Sequence, residues 1–187
     1  MGSRTPPLNA TDDNFSTGLP GLMNITCGEP LVQMTNQQSA PIPSIASFTA
    51  SENTCVPAGL SVGWHVLTPR IPFVEATPAS TDPAPRRALV LMPDGENTVS
   101  LTSKGPLHNG SSRAVADTLT KQLCTNIKAD GVEVYTVAFE IKDVASKDMI
   151  RECASSSTNY FDASDSTKLL SALEELAMKL SNLRLSR

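Results

Sequence analysis

Residues Leu89-Val-Leu-Met-Pro-Asp-Gly-Glu-Asn-Thr98 decide the fold of this 187-residue chain. The apolar run from Ala88 to Met92 stops abruptly at Asp94, Gly95 and a polar loop. An uninterrupted apolar run marks a strand buried on both faces, as in a parallel sheet covered by helices. In open α/β sheets, ligands bind outside the carboxyl ends of the strands. A carboxylate delivered at such a strand end is a candidate binding or metal-ligating group, and Asp94 is that carboxylate.

Downstream of this strand the pattern alternates. Residues 113–130 form an amphipathic helix, with Val115, Leu119, Leu123 and Ile127 at four-residue steps and Gly131 closing it. Residues 132–139 are β-branched and apolar enough for a largely buried strand. A short helix over 145–154 and a brief strand over 159–162, near a sheet edge, come next. The last helix is capped by Asp165 or Ser166, and its inner face is expected at Leu169, Leu173, Leu176, Leu180 and Leu183. Strand–helix–strand–helix–strand–helix from residue 88 onward demands a parallel sheet with crossover connections. The loop after the Ala88–Met92 strand runs through Ser103-Lys-Gly-Pro to Gly110-Ser-Ser112.

Upstream the signals are shorter. Residues 1–26 lack apolar periodicity and form an extended or disordered arm, which leaves 27–187 as the domain. Residues 30–35 are a strand candidate and 42–50 a short helix. Thr54 is a good cap for a helix that Pro69 ends, with Val56, Leu60, Trp64 and Leu67 on one face. Gly59 and Gly63 permit that helix to pack closely on a neighbour. Residues 70–87 are a Pro-, Ala- and Thr-rich surface connection.

Bulk properties exclude several functions. A net charge of −4 gives no basic footprint for nucleic acid, and 4% aromatics give no base-stacking platform. No stretch approaches the roughly 20 apolar residues of a membrane helix, and no signal-peptide pattern follows Met1. The chain reads either as cytosolic or as the soluble portion of a longer protein. The cysteines stand at 27, 55, 124 and 153, none at zinc-finger spacing from another. Cys124 and Cys153 each end a helix beside a strand and are placed to meet. An even count without a metal pattern favours disulfides in an oxidising compartment, with buried free thiols as the alternative. Cys27 with Cys55 follows by elimination.

Several segments, in order, resemble the von Willebrand factor A domain in the C-terminal part of TadG-type proteins of bacterial Flp/Tad pilus systems. They are Asn53-Thr-Cys-Val-Pro-Ala-Gly-Leu-Ser-Val-Gly-Trp-His-Val-Leu-Thr-Pro69 with Ile71-Pro-Phe73, and the stretch that ends at Thr98. Leu123-Cys-Thr-Asn-Ile-Lys-Ala-Asp-Gly-Val-Glu-Val-Tyr-Thr-Val-Ala-Phe139, Cys153-Ala-Ser, Tyr160-Phe-Asp-Ala163 and the closing leucine-rich helix continue the match. The resemblance implies a Rossmann-like, mostly parallel von Willebrand factor A-type sheet with helices on both faces. It also implies a non-enzymatic protein-interaction module with a protein partner in a pilus or envelope assembly. Its place would be the periplasm or cell envelope, where the family is held by an N-terminal membrane anchor. In a periplasmic domain Cys124 and Cys153 should be bridged.

The family's metal-ion-dependent adhesion site joins an Asp-x-Ser-x-Ser loop after the first strand to a threonine and an aspartate from two other loops. Thr54 matches the threonine and Asp94 the aspartate, but the Asp-x-Ser-x-Ser element is absent. Either the chain begins after the first strand and helix, making the sheet incomplete, or its N-terminal arm has diverged from them. Mg²⁺ takes near-octahedral oxygen coordination, so Thr54 and Asp94 alone imply at most a weakly bound Mg or Mn ion. The partner surface is expected around Thr54, Asp94, Glu96 and Asn97. A structural role is the competing expectation: Thr54 caps its helix, and Asp94 anchors its loop.

Two alternatives stand beside this reading. Gly59-Leu-Ser-Val-Gly63 matches the nucleophile-elbow pattern of a serine hydrolase, with Ser61 as nucleophile and His65 or His108 as base. The elbow must follow a strand, whereas Ser61 falls in a helical pattern. The other alternative is a structural fragment that depends on another chain for its missing strand.

Overall fold

The computed structural model describes residues 34–37, 39, 41–47, 53–69, 73–78, 80–81, 83–93, 95–102 and 105–185. The expected N-terminal arm, Cys27, Asp94 and most of the 30–35 strand candidate lie outside these residues. At its centre is a parallel three-stranded sheet in the order β1 (Arg87–Leu91), β4 (Val132–Phe139), β5 (Tyr160–Ala163). Two further strands, β2 (Ser100–Thr102) and β3 (Gly105–Gly110), pair antiparallel as a separate hairpin. The helices are α1 (Pro41–Ser47), α2 (Val56–Val66), α3 (Arg113–Ala129), α4 (Val144–Cys153) and α5 (Ser166–Leu185). None of the described helices is long and apolar enough to cross a membrane.

Strand β4 is largely buried because both of its faces are covered. Val132 and Val134 point into a cluster with Val56 and Leu60 of α2, Leu89 of β1, Cys124 and Ile127 of α3, and Cys153 of α4. Tyr135 and Val137 point the other way, toward Phe161 and Ala163 of β5 and Ala172 and Leu176 of α5. The two-residue period of the strand thus feeds two cores. Helices α2, α3 and α4 cover one face and α5 covers β4 and β5 on the other. On the α5 side of β1, Val90 and Met92 remain 43% and 51% exposed.

Helix α2 uses the expected face: Val56 and Leu60 are buried, with Trp64 and Leu67 packed beside them. A Cβ added to Gly63 would come within 3.1 Å of Leu89 Cδ1, so this glycine sets how closely α2 lies on β1. At Gly59 an added Cβ would meet nothing. Helix α3 closes at Gly131, whose φ of 75° is the left-handed conformation that glycine adopts without a steric cost. At that end Asp130 Oδ2 accepts from Trp64 Nε1 at 3.0 Å and Arg87 Nη1 at 3.1 Å, tying α2, α3 and the start of β1 together.

Three expectations need correction. The inner face of α3 is Ala116, Thr120, Cys124 and Ile127, whereas Val115 is 47% exposed. Thr120 is tolerated inside because its hydroxyl donates to Ala116 O at 2.8 Å. Cys124 is drawn inside by a disulfide to Cys153, the bridge expected from their placement. In α5, Ala172 takes the inner position over Phe161 and Leu173 is half exposed, because a small residue lets the helix approach that ring. Finally, part of the expected loop after β1 is the β2–β3 hairpin, with Ser100 opposite Gly110 and Thr102 opposite Gly105.

Candidate functional site at the carboxyl edge

The carboxyl ends of β1 and β4 face the N-termini of α2, α3 and α4. Two loops meet there, residues 53–55 before α2 and 95–99 after β1, and hydrogen bonds staple them. Thr54 N donates to Thr98 Oγ1 at 2.7 Å, and Thr98 N returns a bond to Thr54 O at 2.9 Å. Val99 N donates to the same carbonyl at 3.3 Å.

Asn97 completes the staple. Its Oδ1 accepts from Val56 N at 2.9 Å, and its Nδ2 donates to Asp117 Oδ1 at 2.8 Å. Capping of α2 therefore differs from the expectation. Cys55 occupies the cap position without a side-chain cap bond, and Asn97, far away in sequence, satisfies the orphan N–H of the first turn. Thr54 stands one residue before the cap position, its backbone bonded to Thr98. Asn97 was expected on an exposed binding edge, yet it is only 3% exposed and acts inside the staple.

A second network crosses the same edge. Arg113, in the first turn of α3, donates through Nε to Asp117 Oδ2 at 3.3 Å and through Nη1 to Glu96 Oε2 at 2.5 Å. Its Nη2 donates to Asp143 Oδ2 and to Ser146 Oγ, the latter at 3.1 Å. Asp143 is the N-cap of α4 and accepts from Ser146 N at 2.8 Å. The Ser146 amide bond and the guanidinium hold the Asp143 carboxyl below the ordinary carboxylate range. Asp143 in turn raises Arg113 above the usual guanidinium value.

The arrangement bears directly on metal binding. Thr54 is held at the carboxyl edge, whereas Asp94 lies outside the described residues. Glu96, Asp117 and Asp143 all converge on Arg113. Among the described residues no group of three or more His, Cys, Asp or Glu side chains could hold a metal ion. The described donors therefore do not amount to the near-octahedral oxygen set that Mg²⁺ demands. Of the expected edge residues, Glu96 stays accessible, with 47% of its side chain exposed.

Ser61 lies within α2 and not on a strand-to-helix turn, so the Gly59–Gly63 text is not a nucleophile elbow. His65 uses Nδ1 on the Ser61 carbonyl oxygen at 2.6 Å, and the side chain of His108 lies outside the described residues. Sequence reasoning missed Arg113, Asp117, Asp143 and Ser146. The spacing of Arg113 and Asp117, four residues apart on a helix, and an Asp just ahead of α4 were the available signals.

No family model and no curated protein matches the sequence. Among solved structures, the pilus adhesin SpaC from Lactobacillus rhamnosus GG superposes with a TM-score of 0.57 at 15% identity. The likeness covers 79% of this chain and 22% of the adhesin. The fold is von Willebrand factor A-like. This chain spans only about a fifth of SpaC, so the likeness speaks for the fold alone. Proximal thread matrix protein 1 from the mussel byssus, solved with a zinc-occupied MIDAS motif, gives a weaker TM-score of 0.43 at 17% identity. That likeness covers 71% of this chain and 28% of the matrix protein.

Proposed function

We propose that this chain is a non-enzymatic protein-interaction module of the bacterial cell envelope, of the TadG type, working in Flp/Tad pilus assembly or surface adhesion. The observation that carries the reading is the set of TadG-like segments, in order, on a von Willebrand factor A-like fold. A pilus adhesin among the similar structures supports it, and the buried Cys124–Cys153 bridge suits an oxidising compartment. The partner is a protein that meets the carboxyl edge at Thr54, Asp94 and Glu96. Deleting the gene in its source bacterium is expected to abolish Flp pili or surface attachment. Complementation with Thr54→Ala/Glu96→Ala should restore only part of it. Unchanged piliation and attachment in the deletion strain reject the reading.

The metal part of the proposal is separate and modest. Thr54 and Asp94 remain as two ligand positions, one of them charged, for Mg²⁺ or Mn²⁺. Isothermal titration should show binding no tighter than millimolar, with Asp94→Ala removing it. A micromolar constant unaffected by that substitution would place the ion elsewhere.

A further inference from the structure

We infer that the carboxyl edge is assembled around a tethered cation, the Arg113 guanidinium, which does there what a divalent ion would otherwise do. Three carboxylates from separate places meet on this one group. Glu96 comes from the loop after β1, Asp117 from α3 itself, and Asp143 from the loop between β4 and α4. All three guanidinium nitrogens are engaged, with Ser146 Oγ as a further acceptor.

A planar fork of five donors can serve several carboxylates at fixed angles, which a lysine ammonium cannot. Asp117 extends the network to Asn97, and Asn97 to the amide of Val56 beside Thr54. One cation thus joins the loop of Glu96, the first turn of α2 and the cap of α4. Each contact is partly exposed, so no single one contributes much in water. Their joint effect is to order the loops, not to stabilise the core. This concerns how the edge is held and stands whether or not a pilus partner binds it.

Hydrogen exchange on the intact chain tests it. Arg113→Gln, which keeps the bulk and loses the charge, should raise exchange about tenfold in residues 96–99 and 143–146, the loss expected for charge-assisted bonds. Amides of β4 should stay protected, showing that the variant folds. Arg113→Lys should not restore the two segments, for want of the fork. Chelation should leave the wild type unchanged. Wild-type exchange in Arg113→Gln, full rescue by Lys, or loosening of the wild type by chelator would overturn the inference. If Asp94 binds an ion of its own, Asp94→Ala removes that binding without loosening residues 143–146, which keeps the two sites distinguishable.

Discussion

Reducing the Cys124–Cys153 bridge is expected to cost this domain about 3–4 kcal/mol, the chain-entropy value for cross-linking residues 29 apart in sequence. The bridge joins the middle of α3 to the last turn of α4, and the two cysteines are 1% and 0% exposed. Both helices lie on the same face of the sheet, so the cross-link closes the β1–α3–β4–α4 unit on itself. In the unfolded chain it removes the freedom of the whole intervening segment, which contains β4. Against the roughly 5–15 kcal/mol that holds an ordinary domain together, this is a large fraction. Urea unfolding of the oxidised and reduced protein measures it, with Cys124→Ala/Cys153→Ala as a second comparison. A difference below about 1 kcal/mol would contradict a bridge that closes a loop of this length. Thiol counting under denaturing, non-reducing conditions should find both sulfurs blocked.

The elements after residue 88 were legible because each carries one strong local signal. Val132–Phe139 has the β-branched run of a buried strand, Gly131 ends α3, and Asp165 caps α5 through Lys168 N. The inward faces of α3 and α5 were less legible. Periodicity ranks residues by hydrophobicity, and on that ranking Val115 outbids Ala116 and Leu173 outbids Ala172. The structure chooses otherwise because small residues let a helix approach the sheet, and because a covalent bond fixes the rotation of α3 at Cys124. Neither fact is local. The β2–β3 hairpin was missed for the opposite reason: its short strands lack the alternation that marks a half-buried strand.

The site divides in the same way. A strand ending in Asp94-Gly95 announces a carboxyl edge, and Thr54 before a helix announces a second loop beside it. What holds these loops is a set of contacts between residues far apart in sequence, Val56 with Asn97 and Glu96 with Arg113. Asn97 looked like a surface residue because it follows Gly95 and Glu96 in a polar stretch. Its amide is instead one of few side groups that can accept from a helix N–H and donate to a carboxylate together. Burial of such a group is tolerable because both of its ends are used.

Leu60→Ala is expected to cost about 3–4 kcal/mol, in the upper part of the range for buried leucines. Leu60 is 1% exposed and sits between β1, α3 and β4, against Leu89, Cys124, Ile127, Val132 and Val134. The loss has a transfer part and a cavity part, and the second depends on whether neighbours can relax into the gap. Here they have little freedom. Cys124 is bonded to Cys153, the strands are paired to each other, and the far end of α2 is fixed through Trp64 and Asp130. Thermal unfolding should fall by about 6–15 °C for a domain of this size, and the oxidised variant should remain folded at room temperature. The damage should also reach the carboxyl edge. Leu60 seats the helix whose first amide is bound by Asn97, so a loosened α2 gives residues 53–56 and 96–99 faster exchange together, while residues 143–146 keep their bond to Arg113. Slow exchange at 96–99 despite the full loss of stability would mean that the staple holds the two loops without help from the core.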